Sequence, residues 1–290
     1  MSKIFLVFLL PAALLAQDRP GIGDELVQRA FHIDYAAFVD NLSDNIHIEV
    51  YYKVFSSTLT YEKRGDRFMG SYEVDLVINR KRKQVTGASR DGDLFADDYE
   101  TTLSARDFVI NMVSFGLPPD DYELVGKLTD RFSGDEQKVK MDMKLKKFGH
   151  KIPSLSEIEF VREARIADGQ SGFQKDGMTI IPSVSRVYGY DEPEMIVYYQ
   201  IYNQIDFGGD YLAIYDIFKD DKSVMTDTSL FTSRGGVTGR LERFNVESLL
   251  PGKYELSIQI SSPGNKLNIS ADGGFVIEWS ALAIVKNNYK

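Results

Sequence analysis

Residues 46–54 read Ile-His-Ile-Glu-Val-Tyr-Tyr-Lys-Val, with Ile46, Ile48, Val50, Tyr52 and Val54 at every second position. A side-chain period of two puts those five on one face of an extended strand and His47 on the other. Runs rich in Val, Ile, Tyr and Phe recur at 72–78, 84–86, 122–128, 137–145, 195–202, 211–218, 254–260 and 275–284. Turn signals such as Arg64-Gly65-Asp66, Ser133-Gly134-Asp135 and Ser262-Pro263-Gly264 separate them. Helical periodicity is scarce. Residues 24–30 allow a turn or two, and Ser154-Leu155-Ser156-Glu157 has capping-box spacing, although Ile158-Glu159-Phe160-Val161 after it fits a strand equally well. Strands at this density without intervening helices predict an all-β chain built of sandwiches, not a parallel α/β sheet.

A long-period similarity divides the chain. Leu117-Pro118-Pro119-Asp120-Asp121-Tyr122-Glu123-Leu124 matches Leu249-Leu250-Pro251-Gly252-Lys253-Tyr254-Glu255-Leu256 at an offset of 249 − 117 = 132, sharing Leu, Pro, Tyr, Glu and Leu. Upstream of each lies a tyrosine-rich strand, Val50-Tyr51-Tyr52-Lys53-Val54 and Val197-Tyr198-Tyr199-Gln200-Ile201. Tandem copies of one domain leave such a trace. In sandwiches a tyrosine opening a late strand can hydrogen-bond back to upstream backbone, so Tyr122 and Tyr254 are expected as structural corners. Two tandem immunoglobulin- or fibronectin-III-like sandwiches follow, at 28–150 and 172–290, with a junction at 151–171 acting as hinge or bridging strand.

The first residues set an address. Lys3, an apolar stretch over 4–15, Ala16 and a polar start at Gln17-Asp18 outline a secretory signal peptide over 1–16, with a linker at 17–27. The apolar run is shorter than the roughly 20 residues a spanning helix needs, so no membrane span is expected. The chain is expected to be exported, to the periplasm or the cell surface. Cysteine is absent, which excludes disulfides, thiolate metal sites, cysteine nucleophiles and a lipidated cysteine anchor. A net charge of −9 disfavours a nucleic-acid partner.

Catalytic motifs do not stand out. His32, His47 and His150 lack metal-site spacing; Gly-x-Ser-x-Gly, a Walker loop and a dinucleotide fingerprint are missing; Gly21-Ile22-Gly23 sits in the linker. No catalytic residue and no cofactor is therefore expected. Asp91, Asp93, Asp97 and Asp98 form the best hard-cation candidate, since calcium takes several carboxylate oxygens on a flexible loop; a solvated loop is the ordinary alternative. Arg80-Lys81-Arg82-Lys83 between two alternating runs reads as a hairpin tip, or as a polyanion contact. Trp279 could stack on a sugar ring, although Phe275-Val276-Ile277 before it favours a core strand. Asn41-Leu42-Ser43 and Asn268-Ile269-Ser270 match the N-glycosylation acceptor.

Four stretches in order carry a family resemblance: Ser154-Leu155-Ser156-Glu157-Ile158, Ile181-Pro182-Ser183-Val184-Ser185-Arg186-Val187-Tyr188-Gly189, Val197-Tyr198-Tyr199-Gln200-Ile201-Tyr202-Asn203 and Leu250-Pro251-Gly252-Lys253-Tyr254. Together they resemble the N-terminal tandem-sandwich region of bacterial GWxTD-domain proteins. Ser183-Val184 stands where that family tends to have Asn-Pro, and Gln200 where it tends to have Glu. The Gly-Trp-x-Thr-Asp signature is missing, because Trp279 lies between Glu278 and Ser280. The resemblance implies an exported bacterial protein and brings no catalytic residue with it. The expected function is non-enzymatic binding or assembly at the cell envelope with an envelope protein partner. The alternatives are a carbohydrate-binding module or carboxylate-using glycan enzyme, and a calcium-dependent adhesin.

Overall fold

The computed structural model describes residues 31–278, apart from 41–42, 105, 148–152, 168, 170–171, 190–191, 204–208, 234–235 and 263–267. Its first half contains β1 (His32–Val39), β2 (Ile46–Phe55), β3 (Tyr61–Arg64), β4 (Arg67–Arg80), β5 (Lys83–Ala96), β6 (Phe108–Leu117), β7 (Asp121–Asp130) and β8 (Glu136–Lys144). The second contains β9 (Ser154–Leu155), β10 (Glu159–Ile166), β11 (Gln174–Lys175), β12 (Met178–Pro182), β13 (Val187–Gly189), β14 (Glu194–Asn203), β15 (Gly209–Lys219), β16 (Lys222–Ser233), β17 (Gly236–Asn245), β18 (Gly252–Ser261) and β19 (Asn268–Glu278). Helix is confined, among the described residues, to a 3-10 turn at Ser56–Thr58 and one α turn, α1 (Tyr99–Thr102), which Asp98 caps by accepting from the Thr101 amide. The protein is all-β.

Four sheets form. In the first half β1-β2-β6 faces a sheet in which β4 carries β5 along one edge and β3 and β7 along the other, with β8 beyond β7. In the second half β10-β14-β17 is extended by β12 and β11, and faces β16-β15-β18-β19, to which β13 adds in parallel. The main strand orders correspond element for element: β1-β2-β6 with β10-β14-β17, and β5-β4-β7-β8 with β16-β15-β18-β19. Ile33, Tyr35, Ile48, Val50, Val74, Leu76, Leu124 and Met143 fill the first sandwich. Val197, Tyr199, Ala213, Tyr215, Leu256, Ile258 and Phe275 fill the second.

A third apolar cluster decides how the sandwiches sit. Ala36, Phe38 and Tyr51 from β1 and β2 pack on Val161, Ile180, Val184, Ile196 and Tyr198 from the second half. Odd positions of β1 therefore enter the first core while even positions meet the second sandwich, and β1 is buried on both faces. The sheets stack in four layers, with β1-β2-β6 and β10-β14-β17 inside. Burying a large apolar side chain stabilises by roughly 1.5–3 kcal/mol, so this seam contributes on the scale of a small core.

The structure corrects several boundaries. The expected junction at 151–171 contains β9 and β10, which pair with β14 inside the second sandwich. Bonding to β14 outweighs the helical reading of Ser154–Glu157, and the second unit begins before residue 172 rather than at it. The strand expected at 275–284 runs over Asn268–Glu278 among the described residues. The acidic stretch read as a loop continues β5 through Ala96, because β4 offers a paired edge as far as Phe68. The signal peptide, the linker, the turn at 24–30, His150 and Trp279 lie outside the described residues.

Candidate functional site

The seam concentrates buried charge. Asp34 lies on β1, flanked by Ile33 and Tyr35, and its side chain faces Arg186, which the turn after β12 holds at φ 51. Arg186 Nε donates to Asp34 Oδ2 at 2.5 Å and Nη2 to Oδ1 at 2.7 Å, while the guanidinium lies 4.7 Å over the Phe160 ring. This is the bidentate fork that arginine, and not lysine, can present to a carboxylate.

A second cluster joins three elements. The hairpin of β11 and β12 turns on Asp176-Gly177, both at positive φ, a pair suited to a two-residue turn. It delivers Lys175 between two carboxylates from opposite sandwiches. Lys175 Nζ is 2.5 Å from Glu49 Oε2 and 2.8 Å from Glu159 Oε2, and donates to the Tyr51 hydroxyl at 3.2 Å. Tyr51 donates in turn to Glu49 at 2.6 Å. Burial raises the Glu49 carboxyl, but His47, Lys175 and Tyr51 together prevail and hold it down to about 2. Glu159 is pushed up to about 7 by burial, with the Glu49 charge adding to the rise and Lys175 opposing it. Its second oxygen, Oε1, is buried with no hydrogen-bond partner. Two carboxylates meet one ammonium, and burial makes Glu159 the carboxyl of the pair that takes up a proton more readily.

Alternate positions of β14 complete the seam. Tyr198 donates to Asp176 at 2.6 Å, Gln200 Nε2 donates to Tyr198 at 2.8 Å, Tyr202 donates to Gln200 Oε1 at 2.7 Å, and the Val39 amide donates to Tyr202 at 3.0 Å. Gln200 is suited to the middle because it is donor and acceptor at once, which Glu would not be when ionised. Gly239 lies alongside; a Cβ there would come 1.9 Å from Asp176 Oδ2. At the far end Lys53 Nζ sits 4.4 and 4.0 Å from the Phe55 and Phe108 rings, and burial, aided by Arg162 and opposed by Glu192, lowers it to about 8. Chemically the seam is a clamp: its charged groups neutralise one another across two sandwiches, away from solvent.

The residues singled out in the sequence lie elsewhere. Tyr122 donates to the Pro118 carbonyl at 3.0 Å and Tyr254 to the Leu250 carbonyl at 2.6 Å, each across four residues. The calcium candidates do not converge. Asp91 pairs with Arg131, Asp97 with Arg67 at 2.7 Å, Asp98 caps α1, and Asp93 stands on β5 opposite Ser71. Among the described residues no three acidic or histidine side chains gather as a metal set. His47 lies 3.5 Å from Glu49 at the rim of the seam, and His32 packs edge-on to Phe55. Lys81 and Arg82 form the tip of the β4–β5 hairpin. Asn268 is exposed at the start of β19. An exposed aromatic group does occur at one end of the first sandwich. Phe95 and Tyr99 are 55% and 63% exposed, with Phe68 6.2 Å from the Tyr99 ring and Arg67 5.6 Å over Phe95.

The sequence reading missed Asp34, Glu49, Glu159, Lys175 and Arg186. One signal was present: Asp34 is the only acidic residue in the otherwise apolar run of 31–39, and a lone charge there needs a partner.

No family model matches the chain, and no curated protein matches it. Solved structures similar to parts of it include the transglutaminase of red sea bream, at 7% identity over 89% of this chain and 32% of that one, TM-score 0.25. A β-glucuronidase of Parabacteroides merdae shares 11% identity over 79% of this chain and 28% of its own, TM-score 0.25. A calcium-binding mutant of Bacteroides uniformis β-glucuronidase 2 shares 7% over 88% and 32%, TM-score 0.28. The chain spans about a third of the length of these proteins or less, and scores this low say nothing about activity. Its own sheets define the class, an all-β protein of stacked sandwiches. No helix among the described residues is long and apolar enough to cross a membrane.

Proposed function

We propose that the protein is an exported, non-enzymatic binding or assembly module of the bacterial cell envelope, built from two copies of one sandwich. The observation that carries this reading is the clamped seam beside open strand edges. The seam fixes one sandwich against the other, while β5, 14 residues long, and β16, 12 residues long, each pair on one side only among the described residues. An open edge is a template for a partner's strand, and a fixed pair of sandwiches presents two such edges at a set spacing. The leader-like residues 1–16 and the resemblance to envelope proteins support the address.

The test is site-specific photo-crosslinking in the native envelope, with the probe at Thr86 on β5 or Thr228 on β16. One defined protein adduct from either edge is expected, and none from a probe at buried Tyr199. Equal background from all three positions overturns the reading. Removal of residues 1–16 should leave the chain in the cytoplasm; continued export would refute the assigned leader.

The aromatic group at Phe68, Phe95 and Tyr99 favours a second reading, a carbohydrate-binding module in which a sugar ring stacks on exposed rings. It requires that Tyr99→Ala reduce retention on immobilised glycan at least about tenfold, the loss of roughly one stacking contact. Equal retention of wild type and variant excludes it.

A further inference from the structure

The β4–β5 and β15–β16 hairpins are the same device built twice. At an offset of 220 − 81 = 139, Ile78, Lys83 and Val85 recur as Ile217, Lys222 and Val224. Pairing runs Ile78 with Thr86 and then Asn79 with Gln84, so Val85 is bulged out; it runs Ile217 with Met225 and then Phe218 with Ser223, so Val224 is bulged out in the same way. Both bulged valines are close to half exposed. Both turns place two consecutive non-glycine residues in the left-handed region, Lys81 and Arg82 at φ 48 and 66, Asp220 and Asp221 at φ 50 and 60.

That conformation favours Asn-Gly, and a non-glycine residue is held there against the clash of its Cβ with the following carbonyl. Both hairpins instead retain charge, and the charges are opposite. All four side chains are exposed; Lys81 helps the Asp121 amide and Arg80 hold the neighbouring Asp120 carboxyl down. At the two turn positions the chain thus carries a cationic pair, Lys81-Arg82 between Arg80 and Lys83, and an anionic pair, Asp220-Asp221 between Lys219 and Lys222, with Lys219 drawn back onto the Pro251 carbonyl and the Tyr254 ring; each pair lies beside an exposed valine.

We propose that copies of this chain associate head to tail, the Lys81-Arg82 tip of one copy seated on the Asp220-Asp221 tip of the next, with Val85 and Val224 meeting beside the charges. The occupant is a second copy because both complementary halves lie on this chain, on matching scaffolds differing in sign at the two turn positions. The contact is heterologous, so each added copy leaves one free tip of each sign, and association continues until a ring closes or a filament forms. The inference rests on the assembly reading above and adds to it a contact between copies, at the hairpin tips and not at the open edges.

Sedimentation velocity of the full chain tests it. Self-association that strengthens with concentration is expected at about 0.01 M salt, weakening at least about tenfold at about 1 M, where the screening length falls from about 30 to about 3 Å. A Lys81→Asp/Arg82→Asp variant has two anionic tips and an Asp220→Lys/Asp221→Lys variant two cationic ones. Each should remain monomeric alone, and an equimolar mixture should associate. Lys81→Asn/Arg82→Gly keeps the turn and should fold at least as stably as wild type while losing association, which separates the contact from folding. A monomeric wild type at low salt, variants that self-associate alone, or a mixture that stays monomeric overturns the inference. So does tight binding of the wild type to a sulfated polyanion without self-association, which makes the cationic tip a polyanion contact. Loss of self-association with the edge-strand adducts intact refutes this inference alone; loss of the adducts with self-association intact refutes only the separate envelope partner.

Discussion

Asp34 and Arg186 are 152 positions apart and bind through two hydrogen bonds inside the seam. Removing one member of a buried, fully bonded pair strands the other, at a cost of about 3–5 kcal/mol. Arg186→Met should therefore lower stability by about that much in urea titration, while Asp34→Leu combined with Arg186→Met should recover most of the loss. The Lys175 cluster predicts a pH dependence of definite sign. Glu159 binds its proton more tightly in the folded chain, so its contribution is complete below its ordinary value near 4.5 and is lost as pH rises through about 7. Glu49 runs the other way, complete above about 4.5 and lost as pH falls toward about 2. His47 faces Glu49, and Tyr51 and Lys175 face both carboxyls. The cluster is most stabilising near pH 4.5, and urea midpoints should fall between about pH 5 and 8. Glu159→Gln, which cannot ionise, should flatten that decline; an unchanged slope would remove Glu159 as its source.

At the scale of elements, the two tyrosine corners tie β7 and β18 to the turns before them. Tyr122→Phe and Tyr254→Phe should each destabilise by about 1 kcal/mol, the net worth of one hydrogen bond, and two neutral results in thermal unfolding would refute the corner role. Strands with one dry and one wet face, such as β7, β15 and β18, were legible because alternation is the direct imprint of that environment. β1 was not. Phe31 to Val39 is buried on both faces, which erases the alternation and leaves an apolar run with one charge in it. β16 was hidden for the opposite reason: Ser223, Thr226, Thr228 and Thr232 are exposed at an open edge, and its pairing depends on β15 rather than on its own pattern. The seam cluster was illegible because Glu49, Glu159 and Lys175 look like ordinary surface charges until the β11–β12 hairpin folds over them.

For the whole molecule, the stacking of four sheets makes the two sandwiches interdependent. The inner sheets each need a neighbour on both faces, so calorimetry of the full chain should show a single unfolding transition. Ile196→Glu, which forces an unpaired charge into the seam, should separate it into two; two transitions in the wild type would show that the seam is too weak to couple the halves. The all-β character and the positions of most half-buried strands could be read from the residues alone, because these follow from nearest neighbours and a period of two. That residues 154–166 belong to the second sandwich, that β1 and β2 are covered on both sides, and that charges over a hundred residues apart pair with one another was set by long-range packing. Those outcomes depend on which faces meet. A polar face bound for solvent and one bound for a complementary charged seam have the same local pattern, and differ only in the partner that long-range packing brings to them.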